Sequence, residues 1–390
     1  MNSSISISEL GRALAGAVAA ALVLVVVLEI TLRVLPIVSG VHRQSPHSAK
    51  ATSARLLPNH EFTWSMGWDL RHVVKGRTNS MGFIAPYDYA TDRPAIALLG
   101  DSFVEAQMLS YGESLAGRLD ARLGGAMRAY NFGLSGAALP HYLGIAREMG
   151  SRFRFAAAVV VVTGYDYEEG FEEKEGVYHW GADPQKELIS LVPAMERNGV
   201  VSVARELALV RYVRANMKLS AGKIFARAEE ASCEPHSLSA ADRKRLTDYV
   251  AELPKALRLP PQRVVMVFNS GSNTALYERV DRGRVRHPAC PSVDSLALME
   301  LRRLGAASGI RIVELDALLE PYYRATRQAL DFKPVDSHWN GTATLLAANE
   351  IVRLLGEELR RPLPAGPGNS PGGAPAVDDA MHSAGYFPSL

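Results

Sequence analysis

The hydrophobic and polar positions of this chain follow two regimes. From Ala13 to Leu28 there is neither a charge nor a polar side chain, and Ile30 to Leu32 and Val34 to Val38 carry the apolar character on past Glu29 and Arg33. Spanning a bilayer takes ~20 apolar residues as helix. Residues 13–38 are therefore expected to form one transmembrane helix behind a tail of residues 1–12, with Arg33 reaching for the interface. The run exceeds the ~7–15 apolar residues of a signal-peptide core. The small-x-small triplet Ala13-Leu14-Ala15 precedes the run instead of following it, so an uncleaved anchor is expected.

Beyond a polar linker and a short β-rich lead-in, expected over residues 39–90, the pattern alternates. Ala95 to Leu99 is a compact apolar strand that ends at Gly100. Ser114 to Leu123 reads as a helix, with Leu115, Leu119 and Leu123 on one face and Gly124-Gly125 as its stop. Ala129 to Phe132 reads as a strand and His141 to Met149 as a helix. Ala156 to Val162 is continuously apolar and valine-rich, as in a strand buried on both faces of a parallel sheet. A helix over Ala240 to Leu253, stopped by Pro254, leads to a strand over Arg263 to Phe268. A helix over Asp294 to Ala307 leads to a strand over Ile310 to Leu315, and Gly341 to Arg360 makes the last helix. Alternating strands and helices predict an α/β domain with a parallel sheet, bounded at 91–362. Residues 167–235, which begin with an acidic run, break the rhythm and read as an insertion or cap. Residues 363–390 are rich in Pro, Gly, Ala and Ser and are expected to be disordered.

Composition changes this picture little. With 43 basic and 41 acidic side chains and a net charge of +2, the chain has no basic stripe, and nucleic acid is not an expected partner. Arg33, Arg43, Lys50 and Arg55 follow the span and only Arg12 precedes it. That bias favours a cytoplasmic C-terminal side, although long domains translocate against it. Cys233 and Cys290 both stand in loop-like text, and pairing between them would imply an oxidising compartment. The histidines His60, His72, His141, His179, His236 and His287 lack ligand spacing to carboxylates or cysteines, so no metal site is expected. His141 stands where it can line a pocket. No glycine-rich phosphate loop follows a strand, and no cofactor is expected.

Two segments can carry chemistry. Gly100-Asp101-Ser102 follows the first strand directly, and ligands of open α/β sheets bind beyond the carboxyl ends of strands. A serine there is exposed near backbone N–H groups able to hold an oxyanion, although Asp101 or Ser102 can equally be a helix N-cap. Asp336-Ser337-His338-Trp339-Asn340 precedes the last helix. A serine needs a base to become nucleophilic, and histidine with an orienting carboxylate supplies one. A turn at Asp336 and His338 would bring both side chains to one place, while Asn340 caps the helix. A competing serine, Ser135, stands in Gly133-Leu134-Ser135-Gly136-Ala137, a near match to a nucleophile elbow whose last glycine is replaced.

In order and context these segments resemble the SGNH/GDSL hydrolases over most of residues 77–358. The resemblance is closest to a bacterial subgroup with one N-terminal span and an Asn-Ser-x-Gly-Phe lead-in, here Asn79 to Phe83. The Asp-x-His-Trp block is similar to that of alginate-type O-acetyltransferases. The resemblance implies a three-layer α/β/α sandwich with a flavodoxin-like parallel five-stranded sheet. It makes Ser102 the nucleophile, His338 the base and Asp336 its orienting acid, with the backbone N–H groups of Ser102 and Gly136, the latter from the Asn131 to Gly136 turn, as oxyanion donors. Its third block, Gly-x-Asn-Asp, is Thr163-Gly164-Tyr165-Asp166 here. Tyr165 replaces an oxyanion asparagine and could itself donate to the oxyanion through its hydroxyl, with a different reach and direction, and Asp166 and Asp101 take supporting roles. The implied activity is hydrolysis of an ester, an O-acyl group on an envelope or exported polysaccharide. The alternatives are transfer of an acetyl group to a sugar hydroxyl, and a silent glycan-binding or assembly protein working with polysaccharide-biosynthesis partners. The implied location is the inner membrane, with the catalytic domain in the periplasm.

Overall fold

A computed structural model of the chain describes residues 7–41, 43–44, 53–193, 206–217, 236–269, 273–283 and 291–361. Cys233, Cys290, much of the expected insertion and the tail beyond residue 361 lie outside the described residues. The chain divides into two compact units.

The smaller unit holds helix α1 (Ile7–Val34), which is long and apolar enough over Gly11–Val34 to cross a membrane. The helix ends at Val34, so residues 35–38, expected to continue the span, turn away from it. The two charges near its C-terminal end are paired with each other, Arg33 Nε lying 2.9 Å from Glu29 Oε1. Glu29 also receives the N–H groups of Ala208 and Leu209 at 2.9 and 3.0 Å, which caps a short helical turn, Ala208–Arg211. Leu32, Ile37 and Ala208 pack beside that cap. An acidic residue near the end of an apolar helix thus has a fixed task, satisfying helix-start donors that would otherwise be unpaired.

The larger unit is built on five parallel strands: β1 (Ala95–Leu99), β2 (Arg128–Asn131), β3 (Phe155–Val162), β4 (Val264–Phe268) and β5 (Arg311–Glu314), in the order β5-β4-β3-β1-β2. This is the flavodoxin-like order predicted above. Every residue of β1, β3 and β4 is buried, which explains why they read as unbroken apolar runs and not as alternation. Side chains alternate between two cores. Ala95, Ala97 and Leu99 face α4 (Leu139–Arg152), α5 (Ala240–Ala256) and α7 (Val293–Ala307). Ile96 and Leu98 face α3 (Leu115–Leu123), α6 (Thr274–Arg282), α8 (Leu315–Thr326) and α9 (Gly341–Arg360). The result is the expected α/β/α sandwich.

Local chemistry sets the helix ends. Ser114 caps α3, and Ser239 with Asp242 forms a reciprocal capping box on α5. Helix α5 does not stop before Pro254 as expected but runs to Ala256. A proline in a last turn forfeits one bond, and the Pro254 carbonyl still accepts from Leu259 at 2.9 Å. Helices α6 and α8 were not expected. Leu315, read as the end of a strand, is the first residue of α8.

The packing of α4 on α5 leaves no room at Gly150, where an added Cβ would stand 1.9 Å from the Ala256 carbonyl oxygen. Gly150→Ala is expected to lower stability by about 1–3 kcal/mol through overpacking against backbone that cannot rotate away. Urea unfolding of the full chain in detergent measures this, and an unchanged midpoint would show that the two helices are not held at this distance.

Candidate active site

Ser102 is the first residue of a short helix, α2 (Ser102–Glu105), entered directly from β1 through Gly100 and Asp101. Asp101 caps α2, its carboxylate accepting from Phe103 N–H at 2.9 Å. The strand-to-helix turn is tight, since a Cβ at Gly100 would lie 2.4 Å from a Val104 methyl carbon. The capping reading of Asp101 is therefore correct, and it leaves Ser102 presented at the carboxyl end of a central strand.

Asp336 and His338 lie on β7 (Asp336–Trp339), which pairs antiparallel with β6 (Asp331–Phe332). The segment was expected to be a loop with a turn. It is instead extended, and residues two apart on a strand share a face, which aligns the two side chains without any turn between them. His338 Nε2 lies 2.7 Å from Ser102 Oγ. His338 Nδ1 lies 2.5 Å from Asp336 Oδ1, which also accepts from His338 N–H at 2.8 Å. Asp336 is buried. Phe103 packs on the imidazole, ring centroids 4.7 Å apart. Asn340 caps α9, accepting from Thr342 and Ala343 N–H at 3.0 and 3.2 Å, and donates to the Ala329 carbonyl at 2.7 Å. Asn340 thus pins the strand's exit into α9.

The loop after β2 lies against α2. A Cβ at Gly133 would stand 2.3 Å from Glu105 N, so only glycine permits the approach. Gly136 adopts φ +69°, a left-handed conformation that also favours glycine. Ser135, the competing serine, has no imidazole beside it among the described residues. Its hydroxyl and its N–H both donate to the buried Glu105 carboxylate. His141, expected as a possible pocket-lining residue, is buried inside α4, with Nδ1 accepting from Tyr178 N–H at 3.3 Å. Burial, with help from the nearby Arg43 and Arg55 charges, depresses His141 to about 3, so it is neutral at ordinary pH.

The loop after β3 carries Thr163 to Asp166. The Asp166 carboxylate closes this turn, accepting from Thr163 N–H at 2.8 Å, Thr163 Oγ1 at 2.7 Å and the Tyr142 hydroxyl at 3.1 Å. Burial, then the neighbouring Asp101, holds the Asp166 carboxyl well above the usual carboxylate range. The Tyr165 hydroxyl is directed at Asp101, 3.4 Å from Oδ2. Burial pushes Asp101 up to about 6, with the Phe103 N–H that donates to it opposing the shift.

No family model matches this chain, and no curated protein matches it. Solved structures similar to it include an α/β hydrolase from the metagenome of Lake Arreo, Spain, 14% identical over 69% of this chain and 97% of that one, with a TM-score of 0.36. An acetyl xylan esterase from Geobacillus stearothermophilus is 10% identical over 68% of this chain and 96% of that one, TM-score 0.35. A two-domain esterase active on acetylated mannans is 12% identical over 70% of this chain and 52% of that one, TM-score 0.36. These similarities are distant, so the chemistry must be read from the chain's own residues.

The three positions selected from two sequence blocks, Ser102, His338 and Asp336, thus form one hydrogen-bonded chain. Among the described residues, the backbone N–H groups of Ser102 and Gly136 have no hydrogen-bond acceptor. Glu105, Arg43 and Lys174 were not singled out from the sequence. The one visible signal was Lys174 as the single cation of the acidic run from Glu168 to Glu175.

Because His141 is neutral when folded and ordinarily basic when unfolded, the unfolded chain binds more protons between about pH 6.5 and 3. Stability contributed by neutral His141 is full above that window and is lost as pH falls through it. His141→Gln, which keeps an acceptor, is expected to flatten the loss of thermal midpoint on acidification. An equally steep loss in the variant would assign the acid sensitivity elsewhere.

Proposed function

We propose that this protein is a serine-dependent carboxylic ester hydrolase, with Ser102 as nucleophile, His338 as general base and then acid, and Asp336 orienting the imidazole. The observation that carries this reading is the hydrogen-bonded chain from Ser102 Oγ through His338 to the buried Asp336. Each link has the reach that proton transfer requires. Serine attacks the ester carbonyl as its proton passes to His338 Nε2, and the imidazolium that forms is stabilised by Asp336. The oxyanion is held by the N–H groups of Ser102 and Gly136. His338 then protonates the leaving alkoxide, and water repeats the sequence to release the acid.

The substrate class we propose is an O-acyl group on an envelope or exported carbohydrate, on the motif resemblance and on the apolar tether α1. On the same grounds we assign residues 91–362 as the catalytic domain, acting in the periplasm from the inner membrane. A sugar hydroxyl in place of water would make the same acyl-enzyme a transferase, and the acceptor is an outcome of the test.

The test is hydrolysis of p-nitrophenyl acetate by the full chain in detergent, with and without acetyl-accepting oligosaccharides. Ser102→Ala or His338→Ala should cost roughly 10⁴-fold or more in kcat, and Asp336→Asn about 10²–10⁴-fold through the wrong tautomer. Ser135→Ala should keep the Ser102-dependent reaction at a reduced rate. If wild type neither hydrolyses the ester nor is labelled at Ser102 by a fluorophosphonate, the hydrolase reading is wrong and a silent binding protein takes its place.

A further inference from the structure

The turn after β2 can be accounted for one peptide group at a time. Gly133 N–H donates to Asn131 Oδ1 at 2.9 Å, and Leu134 N–H to the Gly100 carbonyl at 3.1 Å. Ser135 N–H donates to Glu105 at 3.0 Å, and Ala137 N–H to the Leu134 carbonyl at 3.0 Å. Gly136 N–H is the one donor of this stretch with no acceptor among the described residues. The carbonyls on either side of it are held by cations. The Arg43 guanidinium donates to the Ser135 carbonyl, and Lys174 Nζ to the Gly136 carbonyl at 3.1 Å. Both charged heads come within van der Waals distance of Gly136, since a Cβ there would lie 3.9 Å from Lys174 Nζ and 4.0 Å from an Arg43 nitrogen.

We propose that Arg43 is a positioning residue for the reaction at Ser102, aiming the Gly136 N–H at the developing oxyanion through the Ser135–Gly136 peptide. The inference rests on the hydrolase reading above. A trans peptide is planar, and its C=O and N–H point in opposite directions. The Ser135 carbonyl and the Gly136 N–H belong to the same peptide. A donor fixed on the carbonyl therefore fixes the direction of the N–H. A positive charge at the oxygen also polarises the amide and strengthens its N–H as a donor. Glu105 grips the same residue from the other side, through Ser135 N–H and Oγ. Arg43 and Glu105 thus hold Ser135 between opposite charges, and the peptide that follows has no freedom to rotate.

Arg43 is exposed, and exposed charge contacts contribute little to stability. Its effect is expected in rate and not in folding. An oxyanion donor acts on the transition state more than on the bound substrate, so its misdirection lowers kcat and spares KM. Outright loss of a donor costs about 10²–10³-fold in kcat, and a donor left in place but badly aimed should cost less, about 10–10²-fold.

The experiment uses the full chain in detergent. It measures kcat and KM for p-nitrophenyl acetate, and the rate of inactivation by a fluorophosphonate, in wild type, Arg43→Ala, Arg43→Lys and Ser102→Ala. The expected result for Arg43→Ala is a kcat about 10–10²-fold lower, a KM within about twofold and an inactivation rate that falls in parallel. Arg43→Lys should recover part of the loss. Added guanidinium chloride at millimolar concentration should raise the rate of Arg43→Ala and leave wild type unmoved. Should Arg43→Ala fail to fold, Arg43→Gln carries the same comparison. A wild-type rate in Arg43→Ala, or a loss carried by KM alone, overturns the positioning role while labelling of Ser102 still upholds the hydrolase. Absence of labelling in wild type overturns both.

Discussion

The site depends on how closely two backbone segments approach. Helix α2 leaves β1, and the turn after β2 lies directly against it, near enough that no side chain fits at Gly133. In the order β5-β4-β3-β1-β2, chain connections leave β1 and β3 toward opposite edges of the sheet, which opens a crevice at their carboxyl ends. Ser102 sits at that crevice by topology alone. The contact between α2 and the neighbouring turn brings the segment from Gly133 to Gly136 against the helix that Ser102 begins. This approach leaves no room for a side chain at Gly100, where α2 is entered, or at Gly133 in the turn. The sheet sets the place of the site, and two missing side chains set its spacing.

The sheet was readable because burial on both faces removes polar positions. Ala156 to Val162 and Ala95 to Leu99 have no alternation to misjudge. The edge strand β5 was harder. Two of its four residues are half-buried, and Leu315 continues its apolar run into α8, so strand and helix merge in the sequence. Helix α8 also contains Pro321, an apparent breaker. The Ser102, His338 and Asp336 positions were readable because each lies in a short contiguous block. The hairpin that aligns Asp336 with His338 was not, because β6 is only two residues long. The grip on the turn after β2 was hidden for a different reason. Its contacts join residues 92, 38 and 30 positions apart, and a lone Arg, Lys or Glu at such distances has no pattern.

The carboxylates around the site divide by task. Asp336 faces the imidazole of His338. Asp166 is turned inward and receives three donors from its own loop and from Tyr142, which makes it a fastening for the turn after β3. Glu105 is buried beneath the turn after β2, and burial raises it, with the Arg43 charge as the first opposing influence. Asp101 stands between these groups, capping α2 while it receives the Tyr165 hydroxyl. Asp166, Glu105 and Asp101 thus accept from backbone or hydroxyl donors, and Asp336 accepts from a backbone N–H while it also faces the His338 ring. The same residue type is structural or chemical according to which donors surround it.

Tyr165 connects this division to the turn after β2. The motif that this segment resembles has an asparagine there as a side-chain oxyanion donor, whereas the tyrosine hydroxyl here is engaged with Asp101. On the hydrolase reading, the oxyanion is then left to the two backbone donors of Ser102 and Gly136. The Ser102 N–H is fixed by its place at the start of α2, with Asp101 as cap. The Gly136 N–H has no such helix behind it, and its left-handed glycine would turn freely if unheld. A hole with fewer donors depends more on the direction of each, because electrostatic stabilisation comes from dipoles aimed before the reaction begins. Two cations and a buried carboxylate around one turn are what that dependence requires. On that same reading, the engagement of the Tyr165 hydroxyl with Asp101 and the grip on Ser135 and Gly136 are two sides of one constraint: an oxyanion site without a side-chain donor after β3 needs firmer aim after β2.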